Sequence, residues 1–438
     1  MTVSSNGPSR REFLRTSAAA SGGARSLIKA GAQVAGSDRL RVGLIGCGGR
    51  GSGAARNVLD AAPGIELYSL GDLFPEPLED TLEMLQRERP DSPMARFGNQ
   101  VNISRDRCFV GFDAYQKVID SGIDVVLMAT PPNFRPIHLA AAVDAGIHSF
   151  IEKPVAVDPV GVRQVIETSE LAKTKGLAIV AGTQRRHSQR YLEMVKRIHR
   201  GDIGEIVGGQ IYFLIHNTPW LGKHRRERQP GWSDMEWQCR CWYWFNWLSG
   251  DHIVEQFVHS IDFMNWAMGG PPVSCLGVGG REVRKGPDYG NIFDHFAIEY
   301  EFPGDVRIAA MCRQIDTCTN RISNRIVGAM GIADLEEDAA VIKGARAYVY
   351  EGPEEEPQVQ EHTDMIASIR AGIPLNEGRQ IAESSLTAIM GRMSAYTGKE
   401  VEWDWVLNES KLDLSPPRYE FGDLPVRPVA IPGTSPLI

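Results

Sequence analysis

Leu40-Arg41-Val42-Gly43-Leu44-Ile45-Gly46-Cys47-Gly48-Gly49-Arg50-Gly51 is the stretch that decides how this chain folds. Leu40 to Gly46 is a short apolar run of strand character, and a helical pattern follows the glycines through about Ala62. A second strand pattern runs from Ile65 to Gly71 and ends at Asp72, 26 residues after Gly46. Each glycine then has a physical role. The first permits a tight turn, the second lets backbone approach a phosphate, and the third lets the helix pack closely. The helix N-terminus faces the phosphate charge. Asp72 is placed to accept hydrogen bonds from an adenosine ribose and to repel a 2′-phosphate. Strand, glycines, helix, strand and acid in this order predict a Rossmann unit that binds NAD in preference to NADP. The expected cofactor contacts are Gly46, Gly48, Gly49, Arg50, Gly51 and Asp72.

Strand and helix patterns keep alternating beyond Asp72. A helix is predicted over Glu76 to Arg89, a short strand near Cys108 to Val110, a helix over Asp113 to Asp120 and a buried strand over Val125 to Ala129. That strand runs into Thr130-Pro131-Pro132-Asn133, where prolines stop it at the carboxyl edge of the sheet, the edge at which ligands bind in open α/β folds. Thr130, Pro131, Asn133 and His138, on the next helix, join the expected cofactor contacts. A strand over His148 to Glu152 ends in Glu152-Lys153-Pro154. Asp158 and Pro159 have the character of an N-cap and a first helical position. A strand over Leu177 to Gly182 leads to Gln184, Arg185 and Arg186, and the two arginines suit either a polar substrate or neighbouring carbonyls.

From Gly250 to Asp262 the spacing predicts a helix with His252, Glu255, His259 and Asp262 on one side and Val254, Val258 and Ile261 on another. Two His and a Glu on one face could bind zinc, but the spacing is not that of H-E-x-x-H, and no metal is expected. Five of the nine tryptophans lie between Trp232 and Trp247. Aromatic faces stack on sugar rings, and one or two of these residues, Trp244 among them, are expected to line a site, most of the others forming core. From Val273 to about Tyr350 the pattern is rich in strands, with a turn at Pro303-Gly304-Asp305.

The Rossmann pattern followed by a strand ending in Glu152-Lys153-Pro154 resembles the glucose-fructose oxidoreductase/inositol dehydrogenase (Gfo/Idh/MocA) family, and the likeness runs from about Leu40 to Val401. The resemblance implies an α/β N-terminal Rossmann fold and an α+β C-terminal domain with an open mixed β-sheet, whose exposed face makes a homo-oligomer. It makes Lys153 catalytic, with Glu152 and Gln184 beside the cofactor. It matches Glu255 and His259 to an acid and a His four residues later, with His259 as the acid/base on the reacting hydroxyl and Glu255 orienting it or the sugar. Arg185, Arg186, His252 and Trp244 are the expected substrate contacts. The implied activity is NAD-dependent oxidation or reduction of a sugar or polyol. Two alternatives stand beside it: an NAD-dependent glycosidase working by transient oxidation and elimination, and a sugar or nucleotide sensor without activity.

Composition agrees with a globular protein of two domains: 438 residues, 42% hydrophobic and 23% charged, with 47 basic against 55 acidic residues. That balance supplies no basic footprint for nucleic acid, and no run beyond the N-terminus is long and apolar enough to span a membrane. Seven cysteines are too few and too irregularly spaced for a disulfide framework. Ser9-Arg10-Arg11-Glu12-Phe13-Leu14-Arg15 resembles a twin-arginine export signal, and Ala30-Gly31-Ala32 offers a cleavage site. The expectation is export to the periplasm, with a cytoplasmic leader as the alternative. The domains expected are a leader over 1–38, a Rossmann domain over 39–157, a substrate and oligomerisation domain over 158–410 and an extended tail over 411–438.

Overall fold

The computed structural model describes residues 39–87, 97–216, 219–336, 339–353 and 356–438, and for 219–220 the backbone only. The twin-arginine leader expected over 1–38 lies outside the described residues. Strand β1 (Leu40–Ile45) is buried from Val42 onward and leads through the glycine turn into helix α1 (Gly49–Ala61). Strand β2 (Ile65–Asp72), helix α2 (Pro75–Gln86) and the short strands β3 (Gln100–Val101) and β4 (Cys108–Val110) follow. Next come helix α3 (Ala114–Ile119), strand β5 (Val125–Met128), helix α4 (Arg135–Asp144) and strand β6 (His148–Ile151). Helix α5 (Pro159–Thr174) starts at Asp158, whose carboxylate accepts from the Gly161 N–H at 2.7 Å, and strand β7 (Ile179–Ala181) completes the sheet.

These strands pair in parallel in the order β3-β2-β1-β5-β6-β7, with β4 also on β2. Chain order reverses between β1 and β5, and such a switch point is where an open α/β sheet binds its ligand. Alternate β1 residues face opposite sides: Val42 and Leu44 enter one core cluster and Ile45 the other. The sheet runs past the boundary expected at 157. The apolar run that forms β7 pairs with β6, so the α/β unit ends near Gly182.

The second unit begins with helix α6 (Gln189–His199), strand β8 (Ile206–Ile215) and the helices α7 (Pro219–Lys223), α8 (Asp234–Arg240), α9 (Asn246–Ser249), α10 (His252–Glu255) and α11 (Val258–Met268). Strands β9 (Ser274–Gly280), β10 (His295–Phe302), β11 (Val306–Gln314), β12 (Arg321–Gly328), β13 (Gly331–Glu336), β14 (Ala340–Gly344) and β15 (Tyr348–Val349) follow. Helices α12 (Pro357–Arg370) and α13 (Gly378–Thr397), strand β16 (Val401–Glu402) and helix α14 (Trp403–Asn408) complete the elements. The sheet order is β15-β14-β13-β12-β8-β11-β10-β9-β16, mixed because β8 runs parallel to β11 and its other pairs are antiparallel. The fold is a Rossmann domain joined to an α+β domain with an open mixed sheet. Helix α12 returns to the first domain, where Met365 and Ile366 enter its core and Thr363 Oγ1 donates to the Ala61 carbonyl at 3.1 Å.

The tail beyond residue 411 is extended and touches both domains, with the Leu424 N–H donating to Asp234 Oδ2 at 3.1 Å on the second. Tyr419 donates its hydroxyl to Asn133 Oδ1 at 2.8 Å, and Phe421 meets Phe74 and Phe112 at ring separations of 5.9 and 5.1 Å. Among the described residues, no helix is long and apolar enough to cross a membrane, and no cluster of His, Cys, Asp and Glu suits a metal ion.

Candidate active site

A cavity of about 910 Å³ runs along the carboxyl ends of β1, β2, β5 and β6 and is closed by α10, α11 and the segment between α7 and α9. At its floor Gly46 has φ of +92°, and a Cβ there would strike the Thr130 nitrogen at 2.6 Å. A Cβ on Gly51 would sit 1.8 Å from the Gly46 carbonyl oxygen, so α1 reaches the turn only because residue 51 has no side chain. Gly48 and Gly49 differ: a Cβ on either would meet nothing within 4 Å, and no side chain caps α1. The first N–H groups of α1 therefore open onto the cavity, which is the cradle a pyrophosphate requires. Asp72 accepts from the Cys47 N–H at 2.6 Å and the Phe74 N–H at 2.9 Å. Burial pushes its carboxyl up, against the pull of those N–H groups.

The end of β6 carries the charged centre. Arg50 Nε bonds Glu152 Oε1, and Arg50 Nη2 reaches Glu361 Oε1 at 3.3 Å. Burial would raise Glu152, but Arg50, Lys153 and Arg135 outweigh it and hold it below the usual carboxylate range. Burial and the Glu152 charge push Glu361 well above that range, so its proton supplies what Arg50 cannot neutralise. Lys153 Nζ donates to the Glu255 carbonyl at 2.8 Å and to Glu255 Oε1 at 3.1 Å, with both side chains largely buried. His259 lies on the first turn of α11. Burial, then the charges of Lys153, Arg185 and Arg50, hold its imidazole well below its usual titration, so the ring is neutral near pH 7.

The α10–α11 region is not the single helix expected. The Gln256 and Phe257 N–H groups both bond the His252 carbonyl, at 2.9 and 3.0 Å, and the second of these is the wide i to i−5 turn of a π-bulge. The wide turn separates the helix that carries His252 and Glu255 from the one that carries His259. His252 is fully buried against Phe296, at a ring separation of 5.2 Å, and does not line the cavity as expected of a substrate contact. The expectation for Trp244 also fails. It is buried with the Arg284 guanidinium 5.0 Å from its ring, while Trp242 lines the cavity.

Arg186 is held by a bidentate pair with Asp262, with Nε–Oδ2 at 2.8 Å and Nη2–Oδ1 at 2.9 Å, and Arg185 Nη1 donates to Ser260 Oγ at 3.2 Å. Both lie outside the cavity lining, as does Asn133, which is occupied by Tyr419. Gly51 lies behind the turn and acts through packing alone. The cavity does bring together Gly46, Gly48, Gly49, Arg50, Asp72, Thr130, Pro131, His138, Glu152, Lys153, Gln184, Glu255 and His259. His138 stacks on Tyr115 at 4.3 Å, with its Nδ1 3.3 Å from Thr130 Oγ1. Burial, aided by Arg135, lowers its titration to about 3.

Sequence reasoning missed Arg135, His224, Trp242, Gln256 and Glu361. Glu361 lies 311 residues from Arg50 and carries no local mark. His224 belongs to the basic run Lys223-His224-Arg225-Arg226, which was a visible signal.

Two family models match this chain. "Oxidoreductase family, NAD-binding Rossmann fold" covers residues 40–183, and "GFO/IDH/MocA C-terminal domain" covers residues 191–334. The chain belongs to the Gfo/Idh/MocA oxidoreductase family. The Gfo/Idh/MocA match to residue 183 agrees with a first sheet that ends at β7. Inositol 2-dehydrogenase 4 of Saccharopolyspora erythraea is 30% identical over 230 residues, 52% of this chain and 54% of that protein. A glycosyl hydrolase family 109 protein of Shewanella pealeana is 24% identical over 196 residues, 44% of this chain and 39% of that protein. The chain thus spans about half or less of the length of such relatives. A solved levoglucosan dehydrogenase, in complex with NADH and levoglucosan, superposes with a TM-score of 0.63 over 83% of this chain and 99% of that one, at 19% identity.

Proposed function

We propose that this Gfo/Idh/MocA protein is an NAD-dependent oxidoreductase that moves hydride between a carbinol carbon of a sugar or polyol and nicotinamide. The observation that carries the proposal is the pairing of Lys153 with Glu255 beside a neutral His259, in the cavity whose floor is the glycine turn. The glycine turn, the open N-terminus of α1 and Asp72 would hold the dinucleotide, and the carboxylate of Asp72 favours NAD over NADP. When bound, nicotinamide accepts or returns the hydride.

The ammonium of Lys153 has three N–H groups, two of them given to Glu255, and the third is available to the reacting oxygen. There it stabilises the negative charge that builds on that oxygen as its proton leaves. Neutral His259 has one unprotonated nitrogen and takes the hydroxyl proton in oxidation, returning it in reduction. Glu255 fixes Lys153 in place. Incubation of the purified protein with NAD and a panel of inositols, aldoses and glycosides tests this. Reduced cofactor forms with at least one of them, and Lys153→Ala lowers kcat by about a hundredfold or more. Unchanged turnover in the variant would refute the role of Lys153.

The likeness to a family 109 glycosyl hydrolase favours one other reading, a glycosidase that oxidises its sugar transiently and eliminates the aglycone. Release of aglycone without net reduced cofactor distinguishes it. We also propose export through residues 1–38, tested by N-terminal sequencing of the native protein. Self-association across the second sheet completes the proposal. Val278, Ala297, Met311 and Tyr212 form a row over four adjacent strands, with Val278 69% exposed, and such a row is a liability unless covered. Light scattering on Val278→Lys, expected to shift toward monomer, tests it.

A further inference from the structure

Most of the charged groups that line the cavity are paired. Arg50 is paired with Glu152 and Glu361, Lys153 with Glu255, and Arg240 with Glu236 and Glu76. Among the described residues, two lining acids have no ion pair, Asp72 and Asp80. Both sit by the glycine turn, where Thr81, next to Asp80, donates its hydroxyl to the Cys47 carbonyl at 2.7 Å. Elsewhere in the lining the unpaired groups are cations. Lys223 and Arg226 line the cavity and, among the described residues, neither has a carboxylate partner; Arg226 Nε donates only to the Lys223 carbonyl at 3.1 Å.

Their neighbours in the same loop are neutralised: Arg225 by Asp288 at 3.3 Å and Arg228 by Asp234. Arg135, a buried guanidinium that also lines the cavity, bonds the Pro154 carbonyl and feels the charges of Glu152 and Glu255. Lys223 and Arg226 flank His224, whose ring also feels the Glu255 charge and meets Trp242 edge-on at 5.4 Å. The two unpaired cations therefore flank a ring that faces the reacting groups.

Cations held together against a cavity wall raise a positive potential that concentrates anions from solution. Resting on the sugar oxidoreductase reading above, we propose that the natural substrate carries an anionic substituent, a carboxylate as in a uronic acid or a phosphate ester, and that Lys223 and Arg226 receive it. Asp72 would hold the adenosine ribose, and the two cations would orient the substrate by its charge.

Calorimetry on the NAD-loaded full chain, with matched sets of a neutral hexose, its uronate and its phosphate ester in several stereochemical series, tests the assignment. In at least one series an anionic member binds about tenfold or more tightly than its neutral parent, and added salt narrows the gap. The double variant K223Q/R226Q abolishes the preference, K223R/R226K restores it, and NAD affinity stays the same in both. The preferred member tells carboxylate from phosphate. Equal binding of neutral and anionic members in every series, or a parallel loss of NAD affinity in K223Q/R226Q, would overturn the inference. A neutral sugar that reduces the bound cofactor as well as its acid removes the charge assignment and leaves the oxidoreductase standing. A chain that reduces its cofactor with no sugar of either kind removes both.

Discussion

His187→Gln offers a quantitative test of how the cavity is anchored. His187 follows β7 and is buried, with Nδ1 2.7 Å from Asp364 Oδ2 on α12 and Nε2 3.3 Å from Glu377 Oε1 at the start of α13. The same α12 presents Glu361 to Arg50, so His187 ties the glycine turn's partner to the sheet. Burial would drive the proton off this imidazole, but Glu377 and Asp364 outweigh it and hold the titration up at about 10. At about 1.36 kcal/mol per tenfold change in proton affinity, a rise from 6.5 to about 10 is worth on the order of 5 kcal/mol. The folded value lies above the unfolded one, so this stabilisation is complete below about pH 6.5 and is lost as pH rises toward about 10. Urea unfolding followed by tryptophan fluorescence, run on wild type and His187→Gln across that range, reads it directly. The variant should be several kcal/mol less stable at the acid end, and the gap should close toward the alkaline end. A gap that stays constant with pH would refute the charged imidazole.

Three further outcomes follow from the cavity. His259 titrates well below its usual range, so kcat/KM should show no loss through this group as pH falls from about 8 to about 6; an acid limb in that range that His259→Asn removes would contradict it. Gly51→Ala places a methyl 1.8 Å from the Gly46 carbonyl oxygen, and both the thermal midpoint and the NAD affinity should fall, at a cost on the order of 1–3 kcal/mol; unchanged NAD titrations would count against the turn as the phosphate site. Asp72→Ser removes the carboxylate beside the expected ribose, and the NADP to NAD affinity ratio should rise by about tenfold or more, which fluorescence titration with each nucleotide checks.

The first domain was legible because its signals are local. Each buried strand is a short apolar run, each turn residue has a steric reason, and Gly46, Gly51 and Asp72 act within one β-α-β unit. Lys153 and Glu152 were legible through their place at a strand end. What sequence could not carry was rotation and distance. His252 faces inward although its spacing matched a helical face, and no residue type announces the wide turn at Gln256–Phe257 that breaks the expected helix in two. Trp244 and Trp242 are two residues apart in the same aromatic run, and only packing against Arg284 decides which is buried. Arg185 and Arg186 had two readings, a polar substrate or neighbouring carbonyls, and the structure pairs them with neither, but with the Ser260 hydroxyl and the Asp262 carboxylate some 75 residues away. The boundary expected at 157 fell short because β7 follows a helix that looked like the start of a new unit.

The central claim is that Lys153 and His259 serve hydride transfer between a sugar carbinol and nicotinamide in this cavity. Single-turnover absorbance of reduced nicotinamide, after the NAD-loaded protein is mixed with a panel of polyols, neutral sugars and sugar acids, tests it most directly. Reduced cofactor should appear on mixing with at least one of them, and Lys153→Ala should lose about a hundredfold or more in that rate with NAD affinity retained. Cofactor that binds yet is reduced by none of the panel, or is reduced equally fast in Lys153→Ala, would contradict it.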